Sequence, residues 1–266
     1  MSKITIGQHY PTNSIIHCID PRVKLIGAFA HITVLLLVTN FVGYALAALY
    51  VVAIIKLSKV PPRLLLRSLR VIVFMLTFAV GLNLFLTPGE TYLFQLWFIS
   101  MTLEGVVLAG LMASRLIILV VGTSLLTLST SPVDLTDGIE SLLKPFKYVK
   151  LPVHDIAMMM TIALRFIPIL ADELDKIIKA QKARGADFDT GNIVKRAKSM
   201  LPILIPLFVS AFKRAEELAT AMEARCYRGD TVGRTKMKEM KMVFCDWVAL
   251  GIIVAISVTV VLTRFM

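Results

Sequence analysis

Long apolar runs alternate with short polar or basic stretches over the whole length of the chain. A helix needs about 20 mostly apolar residues to cross a bilayer, and fewer where flanking side chains reach the interface. We predict five crossing helices from this pattern, so the fold class is an all-α, polytopic membrane protein. The predicted spans are Val23–Asn40, Val42–Ile55, Val71–Leu86, Gly105–Leu128 and Val243–Leu262.

Two further apolar runs, His154–Leu170 and Met200–Phe212, are predicted to stay on the cytoplasmic side of the membrane. Basic residues flank each run on both sides, so a crossing helix would place one basic group outside, against the positive-inside bias. Both runs are also shorter than a standard span, and both contain proline. We therefore expect them to lie under the bilayer or to dip into it.

The basic residues between the spans predict the orientation of the chain. The loop Lys56–Arg70 is rich in lysine and arginine, whereas the linker Thr87–Glu104 has neither. Because basic loops stay in the cytoplasm, the N-terminus and the large basic region are predicted to be cytoplasmic. The predicted organisation in the cell membrane is a region of four spans at 1–128, a cytoplasmic region of long amphipathic helices at 129–242 and a last span at 243–266.

Composition narrows the classes of function. The 266 residues are 57% hydrophobic, with a mean hydropathy of +0.77, which suits a bilayer. The net charge is +11, but the basic residues lie between apolar runs and form no single patch, which disfavours nucleic acid as a partner. The three cysteines are widely spaced, so we predict no metal site, no disulfide framework and no cofactor.

The sequence contains no familiar catalytic motif. It lacks the GxxxxGK[ST] phosphate loop of ATPases and the HExxH and GxSxG motifs of hydrolases, so we predict no catalytic residues. A membrane-embedded enzyme is one alternative, and it would need two polar groups converging at one depth. A stand-alone secondary carrier is another, and it would contain paired broken helices or an inverted repeat, which we do not find in the sequence.

Two amphipathic segments of the cytoplasmic region share one plan. The first, Leu170–Arg184, is predicted to stop at Gly185, and the second, which begins at Lys213, is predicted to stop at Gly229. Each follows a proline-bearing apolar run, has acidic residues near its start and reaches an Ala-Arg pair at its end. The terminal arginines either balance the negative end of the helix dipole or project as forks that pair with carboxylates in partner grooves. The residue pattern leaves both interpretations open.

Arg115 falls near the middle of the fourth predicted span. A charge at membrane depth is costly, and such residues face the protein interior or mark a functional site. We expect Arg115 to pack inward against a backbone carbonyl or to anchor a partner helix. A structural or partner role in the membrane follows from either arrangement.

Three motifs resemble those of one transporter family. Gly7–Lys24 reads Gly-Gln-x-x-Pro-x-x-Ser-x-x-His-x-x-Asp-Pro-Arg-x-Lys, which resembles the N-terminal segment of the transmembrane T component of energy-coupling factor (ECF) transporters. The two Ala-Arg pairs lie in triplets that are similar to that family's X-Arg-X coupling motifs, although Cys226 stands where a glycine or serine is more usual. The triplets are Ala183-Arg184-Gly185 and Ala224-Arg225-Cys226.

The resemblance implies partners and a mechanism. Two cytoplasmic ABC ATPases would bind beneath the T component, with Arg184 in a groove of one ATPase and Arg225 in a groove of the other. A small membrane S component would carry the substrate, a vitamin or a metal. The two arginine-bearing helices would cross and act as levers when ATP closes the ATPase pair. This subunit would hydrolyse nothing itself.

Overall fold

A computed structural model describes residues 10, 12–88, 91–96, 99–145, 152–186, 188, 193–227, 229, 240 and 242–264. Helices dominate these residues, which confirms the predicted all-α, polytopic fold class apart from one short strand pair. The elements are α1 (Ile15–Cys18), α2 (Pro21–Leu37), α3 (Phe41–Ser58), α4 (Pro62–Leu86), β1 (Tyr92–Leu96), β2 (Ile99–Thr102), α5 (Leu103–Ser129), α6 (Pro132–Leu143), α7 (Val153–Ala183), α8 (Ile193–Ala224) and α9 (Phe244–Leu262).

Length and composition make four of the described helices candidates for crossing a membrane, namely α3, α5, α7 and α9. The bent helix α4 adds a fifth if its two parts count as one span. Helix α2, which corresponds to the first predicted span, is not among these candidates. It ends at Leu37 after 17 residues, because Val38 adopts an extended backbone. Helix α7 meets the same criteria as α3, so its cytoplasmic placement rests on the basic flanks and stays a prediction.

The described residues form two compact units. One unit is Leu143–Lys238, which holds α7 and α8, and the other joins Gly7–Leu142 to Glu239–Met266. The core of the second unit lies where α2, α3, α5 and α9 pack against one another. Its most buried side chains include Leu35, Val38, Tyr44, Val121, Leu125 and Val260.

The linker between α4 and α5 forms a hairpin that the sequence pattern did not predict. Strands β1 and β2 pair antiparallel, with Tyr92 opposite Thr102. The Thr102 hydroxyl accepts a hydrogen bond from the Gly105 amide at 3.1 Å and donates one to the Thr87 carbonyl at 3.0 Å. Thr102 is therefore the N-cap of α5 and also closes the loop.

Each long helix of the first unit combines two predicted segments. Helix α7 has 31 residues and keeps Pro168 inside it, and α8 has 32 residues and keeps Pro202 and Pro206. The predicted stop at Gly185 is close to the observed end of α7. The predicted stop at Gly229 is wrong, because α8 ends at Ala224.

Candidate functional site

The end of α7 places Arg184 at a defined position. The Gly185 amide donates to the Lys182 carbonyl at 3.0 Å, and the Ala186 amide donates to the Gln181 carbonyl, also at 3.0 Å. This pair of bonds is the Schellman motif, which requires a left-handed residue just after the C-cap. Gly185 supplies it with φ of 84°, so Arg184 is the C-cap residue.

The end of α8 repeats the same geometry around Arg225. The Cys226 amide donates to the Glu223 carbonyl at 2.9 Å, and the Tyr227 amide donates to the Met222 carbonyl at 3.0 Å. Cys226 takes the left-handed position, with φ of 58°. Both X-Arg-X triplets are therefore one structural motif, in which alanine ends the helix and arginine caps it.

Both arginine side chains are exposed. Within the described part of the chain, neither guanidinium takes part in an ion pair or a side-chain hydrogen bond. The backbone of each arginine is fixed by the cap, while its five N–H donors face outward. This arrangement suits binding of a carboxylate or of backbone carbonyls on another molecule.

The two helices are joined by one polar cluster. Both carboxylate oxygens of Glu173, on α7, are engaged by α8: one accepts a hydrogen bond from the Ser210 hydroxyl, and the other pairs with the Arg214 guanidinium. The Arg214 nitrogens lie 3.2 and 3.3 Å from that oxygen. We call Glu173, Ser210 and Arg214 the joint.

The joint favours the charged form of Glu173. The hydrogen bond from Ser210 contributes most to lowering the pKa of Glu173 below its ordinary value, and the contacts with Arg214 add to it. Glu173 lies in the charged part of α7 beyond its apolar stretch, so water reaches it. Such a pair contributes modestly to stability.

A second contact between the helices follows from a proline. A helix carbonyl normally accepts from the amide four residues later, but Pro206 has no amide to offer the Pro202 carbonyl. The side-chain amide of Gln181 lies 3.4 Å from that carbonyl and donates to it from α7. Proline in α8 thus frees an acceptor, and the neighbouring helix uses it.

These contacts show that α7 and α8 run antiparallel. Moving from Glu173 toward Gln181 on α7 corresponds to moving from Ser210 back toward Pro202 on α8. The C-terminal ends therefore point in opposite directions. Arg184 and Arg225 therefore lie at opposite ends of the paired helices.

Arg115 donates hydrogen bonds within the unit that joins Gly7–Leu142 to Glu239–Met266. Its Nη2 donates to the Val38 carbonyl at 2.8 Å, and its Nε donates to the Tyr44 hydroxyl at 2.7 Å. The guanidinium carbon also lies 5.6 Å from the centre of the Tyr44 ring, within range for a cation–π contact. Val38 ends α2, so the positive charge of Arg115 lies at the negative end of a helix dipole.

The N-terminal motif also makes structural contacts. Asp20 caps α2 by accepting from the Arg22 amide, while its own amide donates to the Asp246 carboxylate at 2.8 Å. The Lys24 ammonium donates to the Ser129 carbonyl at 3.0 Å, at the end of α5. This part of the motif therefore fixes the starts of α2 and α9 and the end of α5. Gly7, Gln8 and Pro11 lie outside the described residues.

Sequence reasoning missed the joint. It gave Glu173 no role. The missing amide of Pro206 was the one available signal, because it predicts a free carbonyl at Pro202. The described residues contain no group of three or more His, Cys, Asp or Glu side chains that could hold a metal.

These features define a multi-pass membrane protein with two long helices that each end at an exposed arginine. Comparisons with known proteins agree with that class. The family model described as "Cobalt transport protein", CbiQ, matches residues 12–237. The chain belongs to this family, as a transmembrane T component of energy-coupling factor transporters.

Relatives of similar length carry the same description. A protein of Ruminiclostridium cellulolyticum named "Energy-coupling factor transporter transmembrane protein EcfT" is 50% identical over 98% of this chain and 97% of its own. A relative of that name from Thermosediminibacter oceani is 49% identical over 100% of this chain and 99% of its own. A third, from Bacillus subtilis, is 45% identical over 90% of each chain.

Proposed function

We propose that this subunit couples two cytoplasmic ABC ATPases to a membrane S component that carries the substrate, a vitamin or a metal. Arg184 docks into a groove of one ATPase, and Arg225 docks into a groove of the other. The triplets Ala183-Arg184-Gly185 and Ala224-Arg225-Cys226 form the two ATPase-binding sites. The observation that carries this proposal is that both exposed arginines cap their helices through the same hydrogen bonds.

The helix ends suit a docking role for physical reasons. An arginine held at a C-cap has a fixed backbone, so docking orders only its side chain. The fork of N–H donors pairs with a carboxylate in two places at once. The dipole of each helix places negative charge near the arginine, but the outward-facing donors stay available to a partner.

The antiparallel arrangement of α7 and α8 supports two separate ATPase sites. When ATP closes the ATPase pair, both helix ends move, and the helices carry that movement to the surface that contacts the S component. Helix α8 presents an apolar face suited to a membrane partner. Its exposed residues include Leu204, Ile205, Phe208, Val209 and Phe212.

The orientation and the chemistry follow from the same proposal. The N-terminus and the region 129–242 lie in the cytoplasm, where the ATPases are. The relatives are named as transporter transmembrane proteins, and we assign no catalytic residue to this chain. ATP hydrolysis belongs to the partner subunits.

Co-purification with candidate ATPases from the same genome tests the docking sites. The tagged chain is expressed with the ATPases, solubilised in mild detergent and compared with Arg184→Glu, Arg225→Glu and the double variant. Each single reversal is expected to release one ATPase and the double variant both, because breaking one partner of a desolvated charge pair costs about 3–5 kcal/mol.

Matched charge reversals at exposed lysines control for net charge. Lys182→Glu and Lys213→Glu change the charge of the same helices by the same amount. They are expected to retain both ATPases. Retention of both ATPases by the double arginine variant would contradict the docking sites and leave the arginines as partners of the helix dipoles.

A further inference from the structure

We propose that the joint formed by Glu173, Ser210 and Arg214 is the positioning element that converts movement of the two helix ends into a change of the crossing between α7 and α8. The inference rests on the proposed coupling function. The joint acts in transmitting the movement of the helix ends, whereas Arg184 and Arg225 act in docking to the ATPases.

The joint uses every acceptor that Glu173 offers to α8. One carboxylate oxygen accepts from the Ser210 hydroxyl, and the other accepts from two nitrogens of Arg214. Ser210 and Arg214 are one helical turn apart, so a single carboxylate contacts two successive turns of α8. That arrangement fixes both the position and the direction of the crossing.

Few side chains of these two helices are fully buried. Among the described side chains of α7 and α8, only Val153, Ala157 and Ile203 are buried. A further polar contact between them is the hydrogen bond from Gln181 to the Pro202 carbonyl. Where apolar burial is small, the direction of a crossing depends on its polar contacts.

The joint also has a symmetric place between the two docking residues. Arg184 follows Glu173, and Arg225 follows Arg214, by the same number of positions in the sequence. At about 1.5 Å of rise per residue, each arginine lies roughly 16 Å along its helix from the joint. Measured from the Glu173–Arg214 pair, the two helices therefore extend arms of equal length in opposite directions.

The energetics separate this role from a purely structural one. An ion pair in contact with water adds little to the stability of a fold, so losing it should leave both helices formed. It should instead loosen the angle between them. Movement of the helix ends would then no longer produce a defined change in the angle between α7 and α8.

Pulsed electron–electron distance measurement on the complex with both ATPases tests this inference. Spin labels are attached through genetically encoded keto amino acids at the exposed positions Met159, on α7, and Thr220, on α8. The natural cysteines, Cys226 among them, stay in place. The complex is measured in nanodiscs without nucleotide and with ATP and vanadate. We expect the mean distance to shift by at least about 2 Å, the scale of helix movements at interfaces.

The variants Glu173→Arg, Glu173→Gln and the swap Glu173→Arg with Arg214→Glu separate the joint from its surroundings. Both single variants are expected to retain both ATPases, to broaden the distance distribution and to lose more than half of the ATP-dependent shift. The swap is expected to restore most of the shift. Asp172→Arg, at the exposed neighbouring position, is the matched control and should behave as wild type.

Several results would overturn the inference. These are an unchanged shift in Glu173→Arg, a swap no better than the single variants, release of an ATPase by Glu173→Gln, or no ATP-dependent shift in the wild-type chain. Failure of the docking proposal is a separate result, because it appears as ATPases retained by the double variant of Arg184 and Arg225.

Discussion

The ends of α7 and α8 make the same backbone hydrogen bonds with different residues. Gly185 takes the left-handed position after Arg184, and Cys226 takes it after Arg225. Glycine adopts this conformation freely, whereas a residue with a Cβ pays about 1–2 kcal/mol. The strained backbone at Cys226 persists because the two hydrogen bonds of the cap hold it in place.

This difference separates the geometry of the motif from its residue types. A Cβ added at Gly185 would meet no atom within 4 Å, so the backbone angle alone restricts that position. The shared features are the C-cap arginine and the left-handed residue after it. We infer that the cap positions the arginine and that the third residue of the triplet determines how stable the cap is.

The largest expected effect is at the unstrained end. Gly185→Val places a β-branched residue at positive φ, a conformation that such residues avoid. The cap of α7 should open at a cost of about 2–3 kcal/mol, which would disorder Arg184 and weaken binding of one ATPase. Hydrogen exchange at the amides of residues 185 and 186 measures the opening directly. Unchanged exchange there would contradict the role assigned to the cap.

The reverse change sharpens the comparison at the strained end. Cys226→Gly removes the Cβ from a left-handed residue and should stabilise the end of α8 by about 1 kcal/mol. Exchange at the amides of residues 226 and 227 should slow, while ATPase binding is retained. Faster exchange would mean that the thiol contributes contacts that outweigh the backbone strain.

The smallest effect is expected from Cys226→Asn. Asparagine tolerates the left-handed region better than most residues with a side chain, so the end of α8 should gain only a few tenths of a kcal/mol. The measured gain should fall between those of wild type and Cys226→Gly. A larger gain in stability from asparagine than from glycine would show that a side-chain hydrogen bond, and not backbone strain, governs this cap.

The same comparison explains which helix end the sequence predicted. Glycine is the usual residue at the left-handed position, so Gly185 correctly indicated the end of α7. On α8 a cysteine holds that position, and the next glycine, Gly229, gave a stop that is too late. Residue preferences predict a helix end only where the residue present is the preferred one.

Long-range contacts lay beyond the sequence pattern for a different reason. The apolar runs predicted α3, α4, α5 and α9 as candidate spans, since hydropathy is a property of each segment alone. The contact of Glu173 with Arg214, and that of Arg115 with Tyr44, depend on the register of helices far apart in the sequence. Hydrophobic period and i,i+4 pairing carry no information about that register.

Native mass spectrometry of the complex with both ATPases tests docking through Arg184 and Arg225 most directly, because it counts the subunits. Wild type is predicted to carry two ATPases, Arg184→Glu to lose one, Arg225→Glu to lose the other, and the double variant to appear alone. A double variant that still carries both ATPases would contradict the account.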